Sequence, residues 1–292
     1  TLQYGQEMTF DGNMKLKGLM SKKNELYLLG QVKKMNITTE GLSKISNNLY
    51  GNRIILPEPV MKMGQLEFTG EISGFTNHLV AFGTLSSPIG SIHMDMLIGN
   101  KKDTTMYLKG NIASSQLRID ELFEEGSPYG NTRFNAEIDI AQPLRQKVYG
   151  SINAQINEIE YRGYNYENIY LSGKFKENEY EGLVHVNDPN GKLEAQGLFR
   201  NEKETSIFNF TANIRDFRPD KLHITNKYEK PDISLGINAN FTGNNPDNFE
   251  GYIKLEDLAF YTAKDSFIIH NLRVETSADE HPYKRLSIAS DI

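Results

Sequence analysis

Apolar and polar residues alternate along most of this chain, and at several places the alternation slips by one residue and then resumes. Leu28, Gly30 and Val32 are followed by Met35 and Ile37. Ile152, Ala154 and Ile156 are followed by Ile159 and Tyr161, and Ile253 and Leu255 by Leu258 and Phe260. Phe210, Ala212 and Ile214 before Phe217, and Gly70 and Ile72 before Phe75, are weaker instances. Strand side chains alternate faces with period two, so a step of three moves the apolar set to the other face unless an extra residue is absorbed. A β-bulge absorbs that residue and bends the strand. Its recurrence predicts a repeated, curved β unit, and stacked repeats make long surfaces that bind or carry more often than they catalyse.

Other segments alternate without a slip. Ile92 to Ile98, Met106 to Ile112, Phe134 to Ile140, Ile169 to Phe175 and Ile233 to Phe241 all read as strands. Turn residues separate them: Gly99 to Asp103, Asn187 to Gly191 and Gly243 to Asp247. Such spacing, roughly one strand every 10 to 14 residues, predicts antiparallel meanders. Interior glycines (Gly18, Gly30, Gly70, Gly83, Gly110, Gly150, Gly173 and Gly197) point to a bent sheet. Helical signal is confined to Thr38 to Tyr50, with Thr39 as candidate cap and Gly51 as candidate stop, and to a short turn at Asp120 to Glu125. Neither is long enough for a crossover in a parallel α/β fold. The expected fold is therefore all-β: an elongated, curled antiparallel sheet, open-grooved and solenoid-like, with one or two short helices at most. Ile156 to Tyr161 matches Leu255 to Phe260, and Asn168 to Leu171 matches Asn271 to Val274. These matches divide one continuous segment, 1–292, into repeat units of about 14–145, 146–245 and 246–292, the last cut short.

Composition narrows the function. The 292 residues carry a formal net charge of -6 and include no cysteine. Disulfides, thiolate metal sites and cysteine nucleophiles are excluded, and the acidic balance argues against a nucleic-acid partner. No apolar run reaches membrane-helix length, and no signal peptide is visible. A start at Thr1 and an end at Ile292, inside the alternation of Leu286 and Ile288, read as a piece of a longer protein.

Candidate chemistry is sparse. The six histidines (His78, His93, His185, His223, His270 and His281) form no zinc-site spacing. Asn187 to Gly191 has the look of a calcium loop but lacks its spaced acids, and a reverse turn fits better. The carboxylate pairs Asp120 with Glu121 and Glu124 with Glu125 read as helix-start and surface charge. No nucleophile elbow, phosphate loop or dinucleotide fingerprint occurs, so no enzyme, metal or cofactor is expected. Tyr161, Tyr164, Tyr166 and Tyr170, with Arg162 and Asn165, form either a sugar or headgroup platform or ordinary strand edges and turn corners.

Several stretches resemble the TamB-like proteins of Bacteroidetes-type bacteria. They are Leu56 to Pro59, Met63 to Phe75, Gly83 to Leu85 with Gly90, Leu108 to Ile112, Tyr161 to Gly173 and Asn187 to Gly197. The similarity runs roughly from Leu16 to Ile288. It implies membership of the AsmA-like, bridge-like lipid-transfer group. The implied fold is a β-taco, with an apolar groove inside and a polar face outside. Such proteins are anchored in the inner membrane, extend through the periplasm and engage an outer-membrane barrel assembly factor through a region not recognisable in this chain. The resemblance implies a conduit for phospholipid acyl chains that supports outer-membrane biogenesis. Under that reading the groove lining falls on Ile152, Ala154, Ile169, Leu171, Phe208, Phe210, Leu235 and Ile237, although alternation alone does not say which face is inward. An alternative is a scaffold that templates strands of outer-membrane proteins along an open edge. A more distant one is a carbohydrate-binding or adhesin-type solenoid, whose groove would be polar and aromatic.

Overall fold

The computed structural model describes residues 1–18, 26–50, 61–101, 105–123, 126–143, 147–202, 205–245, 248–278 and 284–291, apart from the side chains of 46–50, 101, 277, 278 and 284. The fold is all-β, with seventeen strands among the described residues in an antiparallel sheet that is not closed. The chain divides into two compact units, Thr1–Arg162 and Gly163–Ile292.

The first unit holds β1 (Leu2–Tyr4), β2 (Met8–Lys17), β3 (Tyr27–Thr38), helix α1 (Thr39–Tyr50), β4 (Gln65–Phe75), β5 (His78–Ser87), β6 (Gly90–Lys101), β7 (Thr105–Arg118), a 3-10 turn (Ile119–Leu122), β8 (Tyr129–Pro143) and β9 (Tyr149–Tyr161). The second holds β10 (Tyr164–Lys176), β11 (Glu179–Asp188), β12 (Gly191–Asn201), β13 (Ser206–Phe217), β14 (Asp232–Thr242), β15 (Glu250–Tyr261), β16 (Ser266–Ala278) and β17 (Lys284–Ser290). Within each unit every strand pairs with its neighbour in sequence, as a meander requires.

Four of the five slips are register shifts. The ladder jumps between Val32 and Met35 on β3 and between Ile156 and Ile159 on β9. It jumps between Ile214 and Phe217 on β13, and opposite Ser234 and Gly236 on β15. In the second unit each bulge turns on an aspartate in the left-handed region, Asp216 at φ 53° and Asp257 at φ 46°. Asp and Asn tolerate that region better than most residues. The fifth slip is no bulge. The β3–β4 ladder continues unshifted from Gly70 through Ile72 to Phe75, so Phe75 projects to the face opposite Ile72. It ends a hairpin, pairs with His78 and sets its ring 5.3 Å from Tyr27. A bulge between Ser114 and Leu117 on β7 was not signalled by the alternation.

The apolar side of the first unit is a packed core. Phe10, Val32, Phe68 and Ala81 form one cluster and Ile37, Met63, Leu66, Ile89 and Leu117 another, and burying each large side chain contributes about 1.5–3 kcal/mol. Helix α1 lays Leu42 and Ile45 on the second cluster. Its cap is Thr38 rather than Thr39: the Thr38 hydroxyl accepts a hydrogen bond from the Gly41 N–H at 3.0 Å, while Thr39 is buried. Gly51 lies outside the described residues. The short turn expected at Asp120 to Glu125 is the 3-10 turn Ile119–Leu122, with Glu124 and Glu125 outside the described residues.

One pair of glycines lets the strands approach. Gly70 and Gly83 stand opposite each other at φ 153° and 154°. A Cβ on Gly83 would sit 2.2 Å from the Thr69 carbonyl oxygen and 2.8 Å from the Gly70 Cα. Only glycine fits both the conformation and the gap. The turn at 187–191 is a two-residue hairpin in which Asp188 pairs with Gly191. Residues 102 and 103 of the turn after Gly99, and Pro246 and Asp247 of the turn after Gly243, lie outside the described residues.

Candidate functional site: an uncovered apolar face

Ladder partners share a face, so the register of the second unit converts alternation into rows running across the strands. One row is Ile169, Val186, Leu193, Ile214 and Leu235. The next is Leu171, Val184, Ala195, Ala212, Ile237, Leu255 and Leu272. A third runs Gly173, Gly182, Gly197, Phe210, Ala239, Ile253, Val274 and Ile288. The fourth is Phe175, Tyr180, Phe199, Phe208 and Phe241. Four consecutive rows of one face are thus almost wholly apolar, while the intervening positions, such as Glu194, Asn213, Gln196 and Asn209, project to the other face.

In the two inner rows the small residues Gly182, Ala195, Gly197 and Ala212 sit beside Val184 and Phe210. Outer rows lie six residues apart along a strand, about 20 Å at 3.3 Å per residue. The fourth row is a ladder of rings. Tyr180 stacks on Phe199 at 6.3 Å, Phe199 meets Phe208 at 5.0 Å, Phe208 stacks on Phe241 at 4.6 Å and Phe241 meets Phe249 at 5.1 Å.

Most of this face is half-buried rather than sealed, with Ala239 and Ile269 buried and Ile288 left 65% exposed. Among the described residues no helix or second sheet packs over it. Six of the expected lining residues, Ile169, Leu171, Phe208, Phe210, Leu235 and Ile237, lie together on it. Ile152 and Ala154 occupy the apolar face of the first unit, opposite Ile138 and Ala136, and Ala154 is buried in that core.

The opposite face is polar and held by exposed ion pairs: Arg200 with Glu179, Arg215 with Glu194, and Lys192 with Asp216 at 3.0 Å. Lys192 holds the Asp216 carboxyl below its ordinary range. Pairs this exposed stabilise little and chiefly keep the face wet. A depression of about 630 Å³ crosses β11 to β15. Most of its lining (Glu194, Gln196, Thr211, Asn213, Asn238 and Glu256 among them) projects from the polar face over Gly236, so it is a hydrated hollow separate from the apolar rows.

One edge of the apolar face is anchored by the tyrosines. The Tyr164 hydroxyl donates to the buried Asp188 carboxylate at 2.6 Å, and Asp188 also accepts from the Glu167 and Asn190 N–H groups at 3.0 and 2.8 Å. Burial, then the bond to Asp188, pushes the Tyr164 hydroxyl up to about 12. Tyr166 donates to the Leu222 carbonyl at 2.8 Å, holding the segment that carries buried Leu222 between β13 and β14. Tyr164 and Tyr166 are thus committed to structure, whereas Tyr170 is exposed on the polar face opposite His185. The signal for the Asp188 knot was present in Asn187 to Gly191, but its tyrosine partner lies 24 residues away.

Among the described residues no three His, Asp or Glu are placed to hold a metal ion, and no helix is long and apolar enough to cross a membrane. Comparison with family models, curated proteins and solved structures returns no match.

Proposed function

We propose that the chain is a lipid-carrying segment of a TamB-like periplasmic protein, with phospholipid acyl chains lying on the apolar face of its second unit. The observation that carries this reading is the apolar face of the second unit: four apolar rows in register, half-buried and with no helix or second sheet over them among the described residues. A monomeric protein rarely leaves so large a contiguous apolar surface without a ligand or partner. Aliphatic and aromatic side chains without fixed polar groups favour hydrocarbon over sugars or peptides. Such a lining binds by area rather than by direction, so a chain can be held and still slide. The membrane anchor and the contact with a barrel assembly factor belong to this proposal through the resemblance alone.

The test is native mass spectrometry of the purified chain with lipid extraction from the same sample. Phospholipid should co-purify and should be lost on Phe208→Asp or Ile169→Asp while circular dichroism remains that of a β protein. A folded chain that stays lipid-free when offered phospholipid refutes the reading and favours a strand-templating scaffold.

A further inference from the structure

The polar face of the first unit carries an apolar patch that lipid binding does not use. Leu29, Val80 and Phe82 project from it with 43%, 40% and 51% of their surface exposed. Leu97 stands directly opposite Val80, and Ser73 links Val80 to Leu29 across β4, so the aliphatic side chains form one row. The adjacent row reads Glu71, Phe82, Asp95 on β4, β5 and β6. Both carboxylates are exposed, and neither has an ion-pair partner among the described residues. These strands already bury a full set of apolar residues on the other face, among them Phe68, Ala81 and Met96. The core does not need Val80 and Phe82.

Strands lie about 4.8 Å apart, so Glu71 and Asp95 stem from the two strands on either side of Phe82, whose ring meets His93 edge-on at 5.5 Å. A cation held over the ring, within about 6 Å of its centre, lies between the two strands that carry the carboxylates. Coulomb attraction and the ring quadrupole then favour the same guest, a Lys or Arg side chain. The same carboxylates repel an anionic bilayer, and a second copy pairing through this patch would bring like charges together.

We propose that this face docks an amphipathic helix of a partner protein, its apolar stripe on Leu29, Val80 and Leu97 and a Lys or Arg over Phe82 between Glu71 and Asp95. A helix with one apolar stripe and a basic flank matches the two adjacent rows. The docking face lies on the first unit and the lipid face on the second, so the two activities are separable.

The experiment is fluorescence anisotropy with the full chain and a labelled 18-residue helical peptide of Leu and Lys, against its counterpart with Glu at each Lys. The Lys peptide should bind and the Glu peptide should not. Glu71→Gln with Asp95→Gln should weaken binding at least tenfold, Phe82→Ser should do the same, and Asn209→Ser on the second unit should change nothing. Circular dichroism and co-purified lipid, both unaltered in these surface variants, report that the fold and the other face are intact. Equal binding of the two peptides, no binding of the Lys peptide, or no loss in the paired Gln variant overturns the proposal. So does sedimentation velocity showing self-association that Phe82→Ser abolishes, or adsorption to phosphatidylglycerol vesicles that the same change removes.

Discussion

Placing one carboxylate on either side of β13 separates the two faces of the sheet. Ala212 and Asn213 are neighbours, yet Ala212 sits in the second apolar row between Ala195 and Ile237, and Asn213 projects to the polar face beside Gly236 and Glu194. An acyl chain lying along the Ala212 row crosses a strand about every 4.8 Å. A carboxylate at Ala212 drives off the stretch of chain above it, about four methylenes. At about 0.8 kcal/mol each, that removes about 3 kcal/mol of binding. The corresponding loss of affinity for Ala212→Asp is about 100- to 200-fold. Asn213→Asp adds the same charge to a wet surface and should change affinity less than twofold. Titration of the delipidated chain with a fluorescent fatty acid measures both constants, and thermal melts confirm that each variant is folded. Equal affinities for the two variants refute the assignment of the apolar face, and a selective loss in Asn213→Asp would move lipid to the polar side.

Tyr164→Phe removes one of three donors to a buried carboxylate and should destabilise the second unit by about 1.5–3 kcal/mol in urea. In the parent chain the Tyr164 hydroxyl ionises near 12 instead of 10, so stability should hold to about pH 10 and fall between about pH 10 and 12, and Tyr164→Phe should flatten that fall. Alkaline melts that coincide for the two chains would sink this account. Gly83→Ala drives a methyl into the Thr69 carbonyl and should destabilise the first unit by about 2–4 kcal/mol, read as a lowered midpoint of denaturation; a change under about 0.5 kcal/mol contradicts the close approach of Gly70 and Gly83.

Much of the fold was legible because strands announce themselves through local alternation, and because four of the slips carry a bulge. The exception, Phe75, shows why pattern alone misleads. An aromatic at a hairpin end can project outward without any change of register, and only the partners of β4 reveal this. Leu79, Val80, Ala81 and Phe82 form an unbroken apolar run in which both parities look like core. Their division into a buried and an exposed set comes from β4 and β6, not from β5 itself. The six residues of the second unit expected in the groove fall on one face because alternation survives across each hairpin. The alignment of the rows was hidden, since residues from different strands line up only through the ladder. The capping role of Thr38 was missed because Thr38 and Thr39 are equally good candidates by type.

Pairing each strand only with its neighbours in sequence also makes the second unit a modular ruler. Excising β11 and β12 together would leave β10 facing β13 still antiparallel, with Ile169 opposite Ile214, Leu171 opposite Ala212 and Phe175 opposite Phe208. Excising one strand would reverse the chain direction of everything after it. Such a unit can therefore be lengthened or shortened by whole hairpins, in increments of about 9.6 Å, without redesigning its interior.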